Sequence, residues 1–278
     1  MIGIGIGLGK KRFTPSGAAS GLDPDAQAFL TAASITDPTQ VSALNQLVLD
    51  LKLSNLWDRL YAVYPILGGT ATTHKYNLKD PRDLDAAFRM TFTSGWIHSS
   101  TGMTPNGSAY ADSKLIPTVT QTQFNTSYGY YSRTDITAAQ IELGATTVGD
   151  EPNQRVAMHM KWTDSNAYYD QYNQNTSNGR LQFSMSGIPT LGLCTMTRVN
   201  ANDHRGFVKG IQRGFSSATA TTNMPSRSIH FGAYNSNSPY FSTKQCAFAF
   251  IGQGLNQFEA VDLDTCVQTY QTTLGRAV

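Results

Sequence analysis

Charge is what this chain has least of. Only 14% of its 278 residues are Asp, Glu, Lys or Arg, against about 25% in an ordinary globular domain. Ser, Thr, Asn, Gln and Tyr fill the difference, a composition that suits an outward-facing β-protein better than a cytosolic enzyme. The net charge of +2 and a single basic cluster, Lys10-Lys11-Arg12, exclude a surface that tracks a nucleic-acid backbone. Cysteine is scarce too. The three present, Cys194, Cys246 and Cys266, form no CxxC pair, which excludes a zinc ribbon or a thioredoxin-like site. Their odd number leaves one unpaired in any disulfide scheme within one chain, so buried, reduced thiols are expected. No apolar run approaches the roughly 20 residues that cross a bilayer, and no membrane insertion is expected. The run Ile2–Gly9 precedes its basic residues, the reverse of a secretion signal.

The motifs of catalysis are missing as well. A phosphate loop needs Gly, four residues, then Gly-Lys-Ser/Thr. Here Ile4 stands at the first position before Gly9-Lys10, and Lys11 stands where the hydroxyl belongs. Glycines at 3, 5, 7 and 9 do not fit GxGxxG. Neither HExxH nor GxSxG occurs, and the five histidines (74, 98, 159, 204 and 230) are scattered. Glycoside hydrolysis generally needs two carboxyls flanking the scissile bond. The three glutamates, Glu142, Glu151 and Glu259, include no two spaced to share a strand face. Asp80-Pro81-Arg82-Asp83 reads as a turn locked by its own side chains. Asn200, Asn202 and Asp203 offer oxygens in a pattern that a turn explains as well as a cation. The expectation is a protein that is not an enzyme and uses no cofactor and no metal.

Three regions are distinguishable along the chain. Residues 1–21 form an arm in which apolar residues alternate with glycine from Ile2 to Gly9. One face of such a strand is apolar and the other bare, so it needs a partner to order it. Residues 22–65 read as helical. Asp23-Pro24 and Asp37-Pro38 are N-caps with proline at the first helical position, and Val41, Leu44, Leu47, Val48 and Leu51 recur at helical spacing. A stripe this apolar is either packed on its own domain or serves as an oligomer stem, and the stem is the reading taken forward. Residues 66–278 are β-rich. Thr73–Leu78, Ala87–Phe92, Thr126–Arg133, Gln154–Trp162, Leu191–Val199 and Ser226–Tyr234 alternate or are rich in β-branched and aromatic residues. Turn clusters separate them at 104–107, 149–153, 173–179 and 235–239. Many short strands between turns indicate an antiparallel β-sandwich or jelly roll. At the end, Gln245–Ile251 reads as a strand, Asn256 as the cap of a helix and Gly275 as its stop.

Phe241–Leu274, with Leu255-Asn256-Gln257-Phe258-Glu259 opening its helix, resembles the end of a concanavalin A-like or laminin-G-like domain. His204–Gly210 resembles that superfamily's hairpin, with Lys209 at the turn position usually held by Asp or Asn. Asp37–Asp112 and Tyr130–Asp135 are similar to bacteriophage virion proteins, especially fibre and adhesin components. The resemblance implies a concanavalin A-like sandwich in a virion, made in the host bacterial cytoplasm, where reduced thiols are at home. It also implies a role in attachment or decoration, and it carries over no catalytic residue.

Two sets of residues follow for binding. Ring faces pack on sugar C–H groups, and Trp96, Trp162, Tyr168, Tyr169, Tyr172 and Tyr240 fall at or near expected loops, making them candidates for a host-surface glycan. For virion anchoring, Ile2, Ile4, Ile6 and Leu8 would enter apolar pockets of a partner virion protein as an added strand, with Lys10, Lys11 and Arg12 at the rim. A homotrimer is the expected assembly. A glycan depolymerase on the same fold, or a virion subunit that binds no ligand, are the competing readings.

Overall fold

In the computed structural model, residues 21–149 and 153–278 are described; the anchoring residues Ile2, Ile4, Ile6, Leu8, Lys10, Lys11 and Arg12 lie outside them. The chain opens with helices α1 (Pro24–Ala32) and α2 (Pro38–Leu53), capped by Asp23 and Asp37, whose carboxylates accept from the Asp25 and Gln40 backbone N–H groups. Strand β1 (Leu60–Tyr64) follows, then a helical turn α3 (Ala71–His74), β2 (Thr91–Phe92), β3 (Trp96–Ser99), β4 (Gly102–Pro105), β5 (Ala111–Asp112) and a second turn α4 (Pro117–Thr120). The middle of the chain supplies β6 (Thr126–Ser132), β7 (Leu143–Thr146), β8 (Arg155–His159), β9 (Asn166–Tyr172) and β10 (Arg180–Ser184). The remainder supplies β11 (Gly192–Asn200), β12 (Asp203–Val208), β13 (Ile211–Ser216), β14 (His230–Phe231), β15 (Tyr234–Asn235), β16 (Cys246–Gly252) and helix α5 (Gln257–Thr273).

These strands form two eight-stranded sheets. One runs β13-β12-β11-β6-β16-β4-β3, with β1 also on β16; the other runs β10-β9-β8-β7-β14-β5-β2, with β15 also on β7. All pairings are antiparallel except β15 with β7. Period-two alternation divides the residues. Inward-facing Tyr128, Tyr130, Cys194, Met196, Ala249 and Ile251 of the first sheet meet Leu143, Val156, Met158, Tyr169 and Phe231 of the second in one core. The sheets close tightly at one edge. A Cβ on Gly206 would lie 2.6 Å from the Phe183 ring, and one on Gly214 would lie 2.7 Å from it, so glycine is what lets β12 and β13 approach β10.

The outer face of the first sheet is also apolar. Leu60, Val63, Tyr131, Leu193, Phe207, Phe248 and Phe250 join Phe29, Leu44, Leu47, Leu51, Leu263 and Val267 of α1, α2 and α5 in a second core. A register shift between Cys246 and Phe248 turns both Ala247 and Phe248 to that side. This corrects the stem: α1 and α2 are a third layer on the sandwich, because their apolar stripe finds its partner in the sheet and α5. The proposed boundary at 65/66 divides no bodies, since β1 is paired with β16. Arg276 fastens the C-terminal end, donating to the carbonyls of Pro65, Ile66 and Ala247.

Several expected strands are shorter or absent. Within Thr73–Leu78 the chain instead ends a helical turn, capped by a reciprocal Thr70–Thr73 box. Of Ala87–Phe92 only the last two residues are strand, after a left-handed Phe88 at φ 58°. Of Ser226–Tyr234 only His230–Phe231 is strand before β15 begins at Tyr234. The C-terminal expectations match: β16 leads to α5, with Asn256 and Glu259 forming its capping box and Gly275 left-handed at its end. Cys194, Cys246 and Cys266 are free and buried. No helix among the described residues is long and apolar enough to cross a membrane.

Candidate functional site

Among the described residues, the helices α1, α2 and α5 pack on the first sheet and none covers the outward face of the second. On β8, Val156 and Met158 point into the core, so Arg155, Ala157 and His159 point outward. On β9, Tyr169 is inward, so Tyr168 and Asp170 are outward, and the register sets Ala157 beside Asp170 and His159 beside Tyr168. On β10, Arg180 pairs with Asp170. Period two thus assembles two arginines, a carboxylate, an imidazole and a phenol on three neighbouring strands.

Asp170 is the hub of this cluster. Fully buried, it accepts two bonds from Arg180, at 2.6 Å from Nε and 2.8 Å from Nη2. Arg155 Nε stands 2.9 Å from its Oδ2, the oxygen that also accepts from Arg180 Nη2. Burial alone would raise the Asp170 pKa, but the two guanidiniums outweigh it and hold the carboxyl below its ordinary value. Arg155 Nη1 donates to Gln174 Oε1 at 3.1 Å, and its Nη2 lies 3.2 Å from His159 Nε2. A guanidinium only donates, so Nε2 accepts and the His159 proton sits on Nδ1. Nδ1 is buried and has no hydrogen-bond partner among the described residues. Burial, reinforced by Arg155, Arg180 and Lys244 against the opposing Asp170, pushes the His159 pKa down to about 3, so the ring is neutral near pH 7.

Aromatic side chains wall the hollow above this floor. Trp162 meets His159 edge-on at 5.0 Å between ring centroids, and Tyr240 meets Trp162 at 5.4 Å. Arg180 lies 4.7 Å over the Tyr168 ring. Asp164 completes the rim, accepting from the Tyr168 hydroxyl and the Asn166 N–H. These two donors, against a small desolvation effect, lower its pKa. The hollow holds about 300 Å³. Past Tyr240 it continues into a second hollow of about 280 Å³ bounded by Tyr234, Ser236, Asn237 and Ser238.

Of the six aromatic candidates, the structure brings together Trp162, Tyr168 and Tyr240. Tyr169 and Tyr172 are corrected: both lie on β9, both are fully buried in the inter-sheet core, and neither is a loop residue. Trp96 is corrected too. It lies on β3 of the other sheet, packed on Phe92 at 5.7 Å and against that core. Sequence reasoning missed Arg155, His159, Asp170, Gln174 and Arg180. For Arg155 and His159 the signal was there, in their alternation with Val156 and Met158 along a segment already read as a strand; Asp170, Gln174 and Arg180 lie on or beside β9 and β10, which were not among the expected strands.

No known protein family matches the chain, and no curated protein does. Solved structures do resemble it. Domain 4 of an extracellular arabinanase from Geobacillus stearothermophilus, in complex with arabinotriose, aligns with a TM-score of 0.52 at 14% identity, over 74% of this chain and 98% of that one. The binding domain of botulinum neurotoxin DC, in complex with SialylT, aligns at 0.51 and 10% identity, over 76% of this chain and 52% of that one. At these identities the likeness shows the fold, an antiparallel β-sandwich, and no residue role passes across it.

The chemistry open to the groove follows from its own atoms. Flat ring faces beside oriented amide, guanidinium and hydroxyl groups match a ligand with apolar C–H patches and many hydroxyls. Both carboxylates here are held ionised, so neither supplies the protonated acid that glycoside hydrolysis uses. Asn200, Asn202 and Asp203 form a plain turn: Asn200 Oδ1 accepts from Asn202 N at 2.8 Å, and Asp203 is held in a two-point pair with Arg205. Among the described residues no cluster of three or more His, Cys, Asp or Glu is arranged to hold a metal ion.

Proposed function

We propose that the protein is a non-enzymatic carbohydrate-binding module that attaches to glycans through the groove on β8, β9 and β10. The observation that carries this reading is the set of three clustered rings, Trp162, Tyr168 and Tyr240, over a fixed floor of Arg155, His159 and Arg180. Two similarly folded domains captured with carbohydrates support it. The ionised state of Asp164 and Asp170 favours binding over the competing depolymerase. Probing an immobilised glycan array with the native chain tests both halves. Retention of a defined oligosaccharide is expected, with no reducing ends released on prolonged incubation. Silence across the array removes the binding reading; steady release removes the non-enzymatic one.

The setting of this module is a further part of the proposal. The resemblance of Asp37–Asp112 and Tyr130–Asp135 to fibre and adhesin proteins supports a place in a phage virion, as a homotrimer anchored by Ile2, Ile4, Ile6, Leu8, Lys10, Lys11 and Arg12. A chain beginning at Thr14 should fold normally and fail to enter particles. Normal incorporation would eliminate the anchoring role.

A further inference from the structure

The groove does not end at its first hollow. Arg155, Gln174 and Tyr240 border both hollows, so the two share one floor and one wall. Small-molecule sites usually enclose about 300–1,000 Å³. Alone, the first hollow, at about 300 Å³, stands at the bottom of that range and the second, at about 280 Å³, falls just below it. Their linings also differ. The first offers ring faces and the charged floor. The second offers the hydroxyls and amide of Ser236, Asn237 and Ser238 beside Tyr234.

Both halves are fixed in position. The Arg155 guanidinium lies 4.7 Å over the Tyr234 ring while its Nη1 donates to Gln174, so one buried side chain underlies both hollows. Arg227 Nη2 donates to Asn237 Oδ1 at 2.8 Å, which orients that amide. Tyr240, 46% exposed, stands at the junction.

Resting on the carbohydrate reading above, we infer that the groove binds a linear oligosaccharide through at least two consecutive units, one in each hollow, and not a single terminal sugar. The unit in the first hollow stacks on Trp162 and Tyr168. Its neighbour passes Tyr240 and hydrogen-bonds to Asn237 and Ser238. Once the first unit is bound, the second is delivered at high effective concentration. One added set of contacts is worth on the order of tenfold in affinity.

The test is calorimetric titration of the native chain with ladders of one to four units, built from the sugars retained on the glycan array. The same titrations are run on an Asn237→Ala/Ser238→Ala variant, whose changed side chains are exposed and leave the core intact. Affinity should rise about tenfold or more from one unit to two. The variant should lose that step while binding the monosaccharide as the native chain does. A monosaccharide that binds as tightly as its oligomers overturns the inference and leaves the groove reading standing. A length dependence untouched in the variant overturns it as well, by placing the second unit elsewhere. If no glycan of any length is retained, the underlying reading fails first.

Discussion

Neighbouring side chains on one strand have opposite fates here. Tyr168 and Tyr169 are adjacent in sequence, yet Tyr169 is sealed between the sheets against Phe183, ring centroids 5.1 Å apart, while Tyr168 faces the groove. Tyr169→Ala should therefore cost about 3–5 kcal/mol, the range for emptying an aromatic core site. Tyr168 is half-buried and in contact with Arg180 and Asp164, so Tyr168→Ala should cost clearly less, about 1–2 kcal/mol, and its main effect should fall on binding. Chemical denaturation of both variants checks this, and equal losses would contradict the assignment. A second residue-scale prediction concerns Lys244 and Glu142. They are fully buried and 2.8 Å apart, and the other Glu142 oxygen accepts from Met160 N. Lys244→Met should destabilise by about 3 kcal/mol or more, because it strands a buried carboxylate. A loss below about 1 kcal/mol would show that the carboxylate finds another partner. The site was half legible from sequence for a related reason. Ring chemistry could be read from residue type, which nominated Trp162, Tyr168 and Tyr240. Which tyrosine faces outward depends on the phase of the strand, and Asn166–Tyr172, next to the turn cluster at 173–179, is not among the strands expected from sequence, so its inward tyrosines and its buried Asp170 could not be told from exposed ones.

Local signals did best where the chain itself meets them. The Asp-Pro caps of α1 and α2, the Asn256–Glu259 box of α5 and the hairpin turn at Lys209-Gly210, left-handed at φ 52° and 68°, all depend on residues a few positions apart. The helical stripe of α2 was equally legible, but its partner was not. That partner is the outer face of a sheet assembled from β1, β6, β11, β12 and β16, segments spread over most of the chain. The strand-like reading of Thr73–Leu78 failed through a local competitor, the Thr70–Thr73 capping box. The layer arrangement has a direct consequence. A chain beginning at Leu60 would expose Val63, Phe207 and Phe250 to water, and it should aggregate or lose cooperative unfolding. A soluble, cooperatively melting fragment would restore the stem. Within the layer, Leu47→Ala should cost about 2–5 kcal/mol, measured by denaturant midpoint; a surface-like loss of a few tenths would mean that α2 is not part of the core.

The whole molecule should be acid-sensitive. Burial, with smaller contributions from His98 and Arg276, lowers the His74 pKa to about 3. Burial lowers His159 to about 3 and His230 to about 4, against the partial opposition of Asp170 and Asp112 respectively. The unfolded chain takes up protons on these rings near pH 6.5, and the folded chain refuses them. Their contribution is therefore intact above about pH 6.5 and is lost as pH falls toward 4 and below. Thermal midpoints taken from pH 7 to pH 4 should decline steadily, and a flat profile would contradict the buried, neutral state of these rings. Among the described residues, one outer sheet face is covered by helices and the other is not, and the latter carries the assembled rings and the arginine–aspartate floor. Function is assigned to that face, and one comparison tests it most directly: the native chain and a Trp162→Ala/Tyr240→Ala variant applied side by side to the same glycan array. The account predicts oligosaccharide retention by the native chain, lost in the variant while its thermal midpoint stays within a few degrees. Equal retention by both would contradict it.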